Sequence, residues 1–354
     1  MTSKKYVAYV AAILYTFMIL NLALWHGITK DIFMGRDLQR MGSITTTAPL
    51  TEDRHYPKRH EELAEWIASG KLESCDVLTI GDSFSNGRDG SSYQDYLVNE
   101  YGLRVLNARS NYHALRDLYI LLNSGIIDAI KARVVILESV QRFMQGRLGE
   151  KLLLCEDESS RYSAHPANNA DSVAEGFMPP IMSQANTDFL YNKIFHMMSP
   201  GQLSPEVYIT KLDRKLFTNP GYEDTLLFIN GDLNYLRAPL NAEMVNKNLN
   251  NAARLLKAKG ITLIFFAAVD KYDLYYPYIT DKSGRPENPF FQKLRDVQGK
   301  EYIYIDTITP LRQALERGEQ DIYWLTDTHW SHKGIKIVCD ELVKYILPEL
   351  PQIR

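Results

Sequence analysis

Between Tyr6 and Trp25 the chain reads YVAYVAAILYTFMILNLALW, a run without a single charge, preceded by Lys4 and Lys5. At about 1.5 Å of rise per residue, roughly 20 residues just cross a hydrocarbon core. The run therefore predicts a transmembrane helix, with Tyr6, Tyr9 and Trp25 near its ends, where amphipathic rings favour the membrane interface. A cleaved signal peptide and a buried core helix are the other readings. The run is longer than the usual apolar stretch of a signal peptide, and no small-x-small site follows it. Lys4 and Lys5 precede it while Lys30, Arg36 and Arg40 follow, so the basic residues do not choose an orientation.

Residues 1–5 thus form a short basic terminus, 6–25 an anchor, and 26–57, polar and turn-rich around SITTTAPLTED, a tether. Beyond residue 58 the pattern changes. HEELAEWIASG has helical spacing and ends at Gly70. DVLTI (76–80), LRVLN (103–107) and RVVILE (133–138) are β-branched strands, separated by SYQDYLVNEYG and HALRDLYILLNSG with helical periodicity. The alternation resumes late, as helix NKNLNNAARLLKAKG, strand ITLIFFAA (261–268), helix NPFFQKLRDV, strand YIYID (302–306) and a final helix SHKGIKIVCDELVKYIL. Five strands joined by helices predict an α/β fold, a three-layer αβα sandwich around a mainly parallel five-stranded sheet. Residues 58–354 would form this one domain. Its interruption at about 145–242, rich in Asn, Pro, Tyr and Met, reads as an irregular insertion of loops and short helices. At the carboxyl edge of the sheet it would either shape a groove or be an inert excursion.

Composition narrows the classes. The 354 residues carry 45% apolar and 23% charged side chains and a net charge of -3, ordinary globular usage with no polyanion-binding footprint, so nucleic acid is not an expected partner. Cys75, Cys155 and Cys339 are far apart and form no CxxC pair. That argues against a structural zinc site and for buried free thiols at Cys75 and Cys339, with a single disulfide the alternative.

Candidate chemistry concentrates in two short segments. Ser83 lies in the turn GDSFSNG that follows the first strand, where a hydroxyl is reachable at the carboxyl edge of a sheet. Gly81 and Gly87 permit a close bend, and the Ser83 N–H is available to an oxyanion. A serine needs a base, and the base an orienting carboxylate on its other nitrogen. Asp327 and His329, two apart in DTHW before the final helix, offer both. The bland readings are an ordinary Gly-Asp-Ser turn, and a helix-capping Asp beside a surface His. Asp327, His329 and His332 also have metal-like spacing, but no further His or Cys cluster completes a site, so neither a metal nor a cofactor is expected.

These residues resemble a known family. GDSFS at the end of the first strand, with a carboxyl-terminal Asp-x-His before the last helix, is similar to the SGNH hydrolase superfamily, whose sheet is flavodoxin-like. The form Asp327-Thr328-His329-Trp330 resembles its membrane-associated acyltransferase branch, the alginate O-acetylation proteins and the D-alanyl-transfer protein of teichoic acid modification. AAVDKYDLYYPYI (267–279), a strand running into Lys-x-x-x-Tyr, is a further similarity. The resemblance covers about residues 74–345. It implies Ser83 as nucleophile, His329 as general base and acid, and Asp327 as orienting carboxylate. Two oxyanion positions of ordinary SGNH esterases depart from the pattern. The glycine expected after the second strand is missing from NARSNY (107–112), and ESVQR (138–142) carries Gln141 and Arg142 near the place of an asparagine. Arg142 would either face the oxyanion or pair with Glu138. Lys271 and Trp330 would either line the site, or be a solvated lysine and a packed indole.

The expected activity is acyl transfer to a hydroxyl of an exported or cell-surface polysaccharide through an acyl-serine. The resemblance implies an acyl donor supplied by a multispanning membrane O-acyltransferase, and a single-pass protein of a bacterial-type cytoplasmic membrane with its domain periplasmic or extracellular. A membrane-tethered carbohydrate or lipid esterase needs the same residues, water replacing the sugar. A non-catalytic glycan-binding or scaffold subunit is the third reading, suggested by the altered oxyanion positions and the 22 tyrosines.

Overall fold

The computed structural model describes residues 3–45, 56–70, 74–86, 92–110, 113–151, 183–282 and 284–350. Gly87, Asn111, Tyr112, Cys155, residues 46–55 of the expected tether and 152–182 of the expected insertion lie outside the described residues.

Six strands form one parallel sheet: β1 (Glu61–Glu62), β2 (Val77–Gly81), β3 (Val105–Arg109), β4 (Val134–Val140), β7 (Thr262–Ala268) and β8 (Ile303–Ile305), in the order β1-β3-β2-β4-β7-β8. Every residue of β2 and β4 is buried, as expected of parallel strands covered on both faces. The five expected strands are all present. The sixth, β1, sits inside the segment expected to be wholly helical, where Glu61 and Glu62 pair with Leu106 and Asn107 before helix α4 (Leu63–Ala68) starts. From β2 the chain passes to β3 on one side and then crosses to β4 on the other. The end of β2 is therefore the switch point at which open α/β sheets form a crevice.

Helices cover both faces. On one lie α6 (Ala114–Asn123), α7 (Ile126–Ile130), α8 (Met144–Leu148) and α10 (Ala242–Lys257). In α10, Val245, Leu249, Ala252 and Leu256 recur with helical spacing and are buried toward β7. On the other face α5 (Tyr93–Tyr101) and α13 (Ile308–Glu316) flank the closing helix α14 (His332–Ile346). Short helices α11 (Lys271–Tyr275) and α12 (Phe290–Asp296) follow the carboxyl end of β7. Cys75 and Cys339 are buried free thiols, and burial, joined by the Asp76 charge, pushes Cys75 up to about 12.

The amino-terminal third departs most from expectation. Helix α1 (Ser3–Leu24) runs through a π-helical turn, Trp25–Thr29, into α2 (Lys30–Phe33), giving 31 continuous residues with an 18-residue stretch of mean hydropathy 2.1, long and apolar enough to cross a membrane. The segment expected to be a tether then folds into α3 (Asp37–Gly42), which buries Leu38, with Ile44 beyond it, in the core of the α/β domain. The backbone N–H of Gln39 donates to Thr326 O at 3.2 Å. The expected insertion is likewise ordered in its described part, with helix α9 (Gln184–Met198) and an antiparallel hairpin of β5 (Val207–Lys211) and β6 (Thr225–Ile229).

Candidate active site

The turn after β2 is tightly held. Asp82 accepts hydrogen bonds from Phe84 N (3.3 Å) and Val140 N (2.8 Å) and pairs with Arg147. Glu138, buried in β4, accepts from Asp82 N and from Ser85 Oγ, each at 2.9 Å. Burial, reinforced by the Asp82 charge, pushes the Glu138 carboxyl well up, and its two hydrogen bonds brace the turn from beneath. A side chain at position 81 would collide with Ser85 Oγ and Glu138 Oε2, which is why glycine stands there. The result projects Ser83 into solvent with its neighbours Asp82 and Phe84 buried.

The loop before α14 meets it. Ser83 Oγ lies 2.8 Å from His329 Nε2, and His329 Nδ1 lies 2.7 Å from Asp327 Oδ1, which also accepts from His329 N at 3.1 Å. Phe84 packs against the imidazole at 4.8 Å between ring centres, and Trp330 stands behind Phe84 at 4.7 Å. Burial disfavours the His329 imidazolium, yet the hydrogen bond and charge of Asp327, with Asp37 adding, raise it above its ordinary value. Burial also works against the Asp327 carboxylate. The hydrogen bond and charge of His329, then Arg36, overcome this and hold it well below the usual range.

Arg36 and Asp37, which sequence reasoning did not single out, complete this arrangement. Arg36 donates to Asp327 Oδ2 at 3.1 Å and covers the Trp324 ring at 4.1 Å. Asp37 Oδ1 accepts from Thr328 N at 2.9 Å, its Oδ2 accepts from the Thr328 hydroxyl, and the same oxygen lies 3.8 Å from His329 Nδ1. Burial and then the Asp327 charge raise the Asp37 carboxyl. From the opposite side Lys271, buried, donates from Nζ to the carbonyls of Trp324 (2.7 Å), Leu325 (2.7 Å) and Asp327 (3.1 Å). Burial pulls Lys271 down to about 7 against the opposing charges of Asp327, Asp37 and Asp232.

Ser83, His329 and Asp327 are thus brought together, while the other sequence candidates sit around them. Arg142 is clamped by Asp270 at 2.7 Å and Asp232 at 3.5 Å, and not by Glu138. Gln141 donates to Asp273 and accepts from Asp270 N at 2.9 Å. Lys271 and Trp330 are both buried, the one holding the Asp327 loop and the other backing Phe84. Ser110 follows β3 where a glycine was sought, and its N–H is committed to Gly81 O at 3.0 Å. Among the described residues the Ser83 N–H has no protein partner. Asp37, Asp327 and His329 each bring one ligand-type atom within 4.8 Å of the others. Arg36 pairs with Asp327 at the edge of that cluster, and His332 is elsewhere, beside Trp324 at 5.9 Å.

A hydroxyl in hydrogen-bond reach of an imidazole, whose far nitrogen a carboxylate holds, can pass its proton as it attacks an acyl carbon. No curated protein matches the chain by sequence. Among solved structures, an α/β hydrolase enzyme from the metagenome of Lake Arreo is 11% identical over 79% of this chain and 99% of its own, with a TM-score of 0.37. A GDSL-like lipase from Bacteroides thetaiotaomicron is 7% identical over 81% of this chain and 98% of its own, with a TM-score of 0.33. Asp327 and His329, though not Ser83, lie in the stretch recognised by a family model: residues 223–354 match the SGNH hydrolase-like domain of acetyltransferase AlgX.

Proposed function

We propose that this protein is a membrane-anchored serine acyltransferase that O-acetylates an exported polysaccharide through an acyl-serine at Ser83. The observation that carries the proposal is the continuous chain from Ser83 Oγ through His329 to Asp327, at 2.8 and 2.7 Å. His329 Nε2 takes the Ser83 proton as Oγ attacks the carbonyl carbon of an acyl ester or thioester. The oxyanion is held by the Ser83 N–H, and the departing alcohol or thiol leaves with the proton from His329. An acceptor hydroxyl then gives its proton to His329 and attacks the acyl-serine, and Ser83 Oγ leaves with that proton.

Retention of the anchor is supported by the burial of Trp25, Thr29 and Ile32 along one side of the long helix, with Asn21 bonded to Asn186. A segment removed during export would leave those partners bare. The exposure of Ser83 lets water compete as the second nucleophile, which keeps an esterase as the alternative outcome. Full-length protein in detergent, given an aryl acetate with and without an oligosaccharide, tests the choice. Acetyl appearing on the glycan at the expense of free acetate is expected. Product distribution unmoved by glycan makes the protein an esterase.

The raised His329 also sets a pH profile. Catalysis needs the neutral imidazole, so kcat/KM rises with pH through an inflection above the ordinary value of about 6.5. Asp37→Asn removes one of the charges that raise it and shifts the inflection down. An unmoved inflection would discount Asp37 as a neighbour of consequence. For stability the sign is fixed by linkage. The raised His329 contributes fully below the unfolded imidazole value and its contribution fades as pH climbs through the folded one. The lowered Asp327 contributes above the unfolded carboxyl value and loses its contribution as pH falls through the folded one.

A further inference from the structure

Helix α9 carries a stripe of large apolar side chains that point away from the protein. Leu190, Tyr191, Ile194, Met197 and Met198 follow the spacing of a single helical face, and all are more than half exposed, Met197 and Met198 at 82% and 80%. Asn192, on the opposite side of the helix, is buried, as is Asn186 at the edge of the stripe one turn before Leu190. Such a stripe is unusual on the surface of a folded domain. Its neighbourhood tells what covers it. Among the described residues, every large apolar side chain at least half exposed belongs to α1, to α9, or is Met34 just beyond α2.

The two helices are joined by polar contacts at the end of the membrane span. Asn186 donates from Nδ2 to Asn21 O at 2.8 Å, and the Thr29 hydroxyl donates to Asn186 Oδ1. Asn21 is inside the uncharged run and Thr29 is just past it, so the first turns of α9 stand at the depth where hydrocarbon gives way to headgroups. Further along, Asn192 donates to Met41 O at 3.0 Å and Ser43 Oγ at 2.9 Å, tying the same helix to the segment that leads out of α3. Lys193 lies at the margin of the stripe with its ammonium 5.2 Å from the centre of the Phe189 ring, a position from which a long cationic side chain reaches lipid phosphate.

We propose that α9 lies in the lipid–water interface beside the anchor, with its apolar stripe in the acyl-chain boundary and Lys193 at the headgroups. The bilayer is favoured over a second copy of the chain because the stripe continues the exposed apolar surface of α1. This inference rests on the reading of α1 as a membrane span. The consequence is geometric. Two points of contact, one helix across and one along the surface, fix the tilt of the domain, and Arg36 and Asp37 pass that fixed geometry directly to Asp327 and Thr328. The Ser83 site would then have one height and one direction over the membrane.

The test uses the full chain in vesicles of phosphatidylcholine and phosphatidylglycerol. Ile194→Cys, in a Cys155→Ser background, carries an environment-sensitive fluorophore, and Lys247→Cys on the exposed side of α10 carries the same label as reference. Expected is a blue-shifted emission at 194, quenched several-fold more than at 247 by lipids with a nitroxide high on the acyl chain. Equal quenching at the two positions in a chain that floats with vesicles overturns the placement of α9 and leaves the anchor standing. A chain that fails to float removes the anchor reading and this inference with it. A blue shift that lipid nitroxides leave untouched, and that grows with protein-to-lipid ratio, assigns the stripe to a second copy and also overturns it.

Discussion

Asp327→Asn should lower kcat for an activated acetyl ester by about 10⁴-fold while leaving the protein folded. The carboxylate accepts from His329 Nδ1 at 2.7 Å, which puts the proton on that nitrogen and leaves Nε2 bare toward Ser83 Oγ. A carboxamide that turns its NH2 to Nδ1 forces the other tautomer, with a proton on Nε2 where the base must accept one. It also withdraws the negative charge that raises His329 and offsets the imidazolium formed during attack. Arg36, which donates to Asp327 Oδ2 at 3.1 Å, is partly exposed and regains water, so its loss of a charged partner should cost about 1 kcal/mol or less. A pH–rate profile together with thermal unfolding checks the expectation. A variant with undiminished kcat removes Asp327 from the mechanism, and one that has unfolded is replaced by Asp327→Glu, for which partial activity is expected.

Ser83→Ala should have the larger effect, a fall in kcat of about 10⁶-fold, because removing one member of an interdependent nucleophile and base removes the covalent route altogether. The residual rate reflects binding and the oxyanion donor alone. Ser83 is exposed and, among the described residues, its hydroxyl bonds only to His329, so the change in stability should stay within about 0.5 kcal/mol. Single-turnover kinetics and denaturant unfolding separate the two quantities. Labelling by a fluorophosphonate probe should disappear in the same variant, and labelling that persists would move the nucleophile elsewhere.

The core of this site was legible because its chemistry is carried by short motifs. GDSFS sits after a strand too apolar to be anything but central, and DTHW sits before a helix whose pattern is unmistakable. Their meeting needs only the parallel order of the sheet. Arg36 and Asp37 were not legible for two physical reasons. Their partner lies 291 residues away, and a stretch ending in SITTTAPLTED offers the composition of a linker even though Leu38 and Ile44 bury two strong anchors. Local propensity also misleads at Glu61 and Glu62, good helix formers that pair as an edge strand because His60 and Arg109 engage their surroundings: His60 N donates to Asp95 Oδ1 at 2.9 Å and Arg109 to Glu62 at 2.8 Å. Arg142 and Gln141 stand beside the end of β4 as the pattern suggests, but Asp232, Asp270 and Asp273, distant in sequence, draw both side chains into a buried network. No periodicity reports which acids converge below a sheet edge.

The segment between the long apolar helix and the α/β domain is ordered, where a tether was expected. A flexible tether would let the site sample a wide shell above the bilayer. Instead α2 leads within a few residues to α3, whose first residue supports the Asp-x-His loop. The long apolar helix and the candidate active site are thus joined through a packed segment, an arrangement that suits the acyl transfer proposed above.

The most direct test of the account is to mix full-length protein with an aryl acetate, quench in acid within the first turnovers, and map the acylated peptide by mass spectrometry. One acetyl group is expected, on Ser83, lost when a hydroxyl acceptor is added before the quench and never formed in Ser83→Ala. Acetyl on another residue, or steady turnover by a wild-type protein that never carries an acetyl group on Ser83, would contradict it.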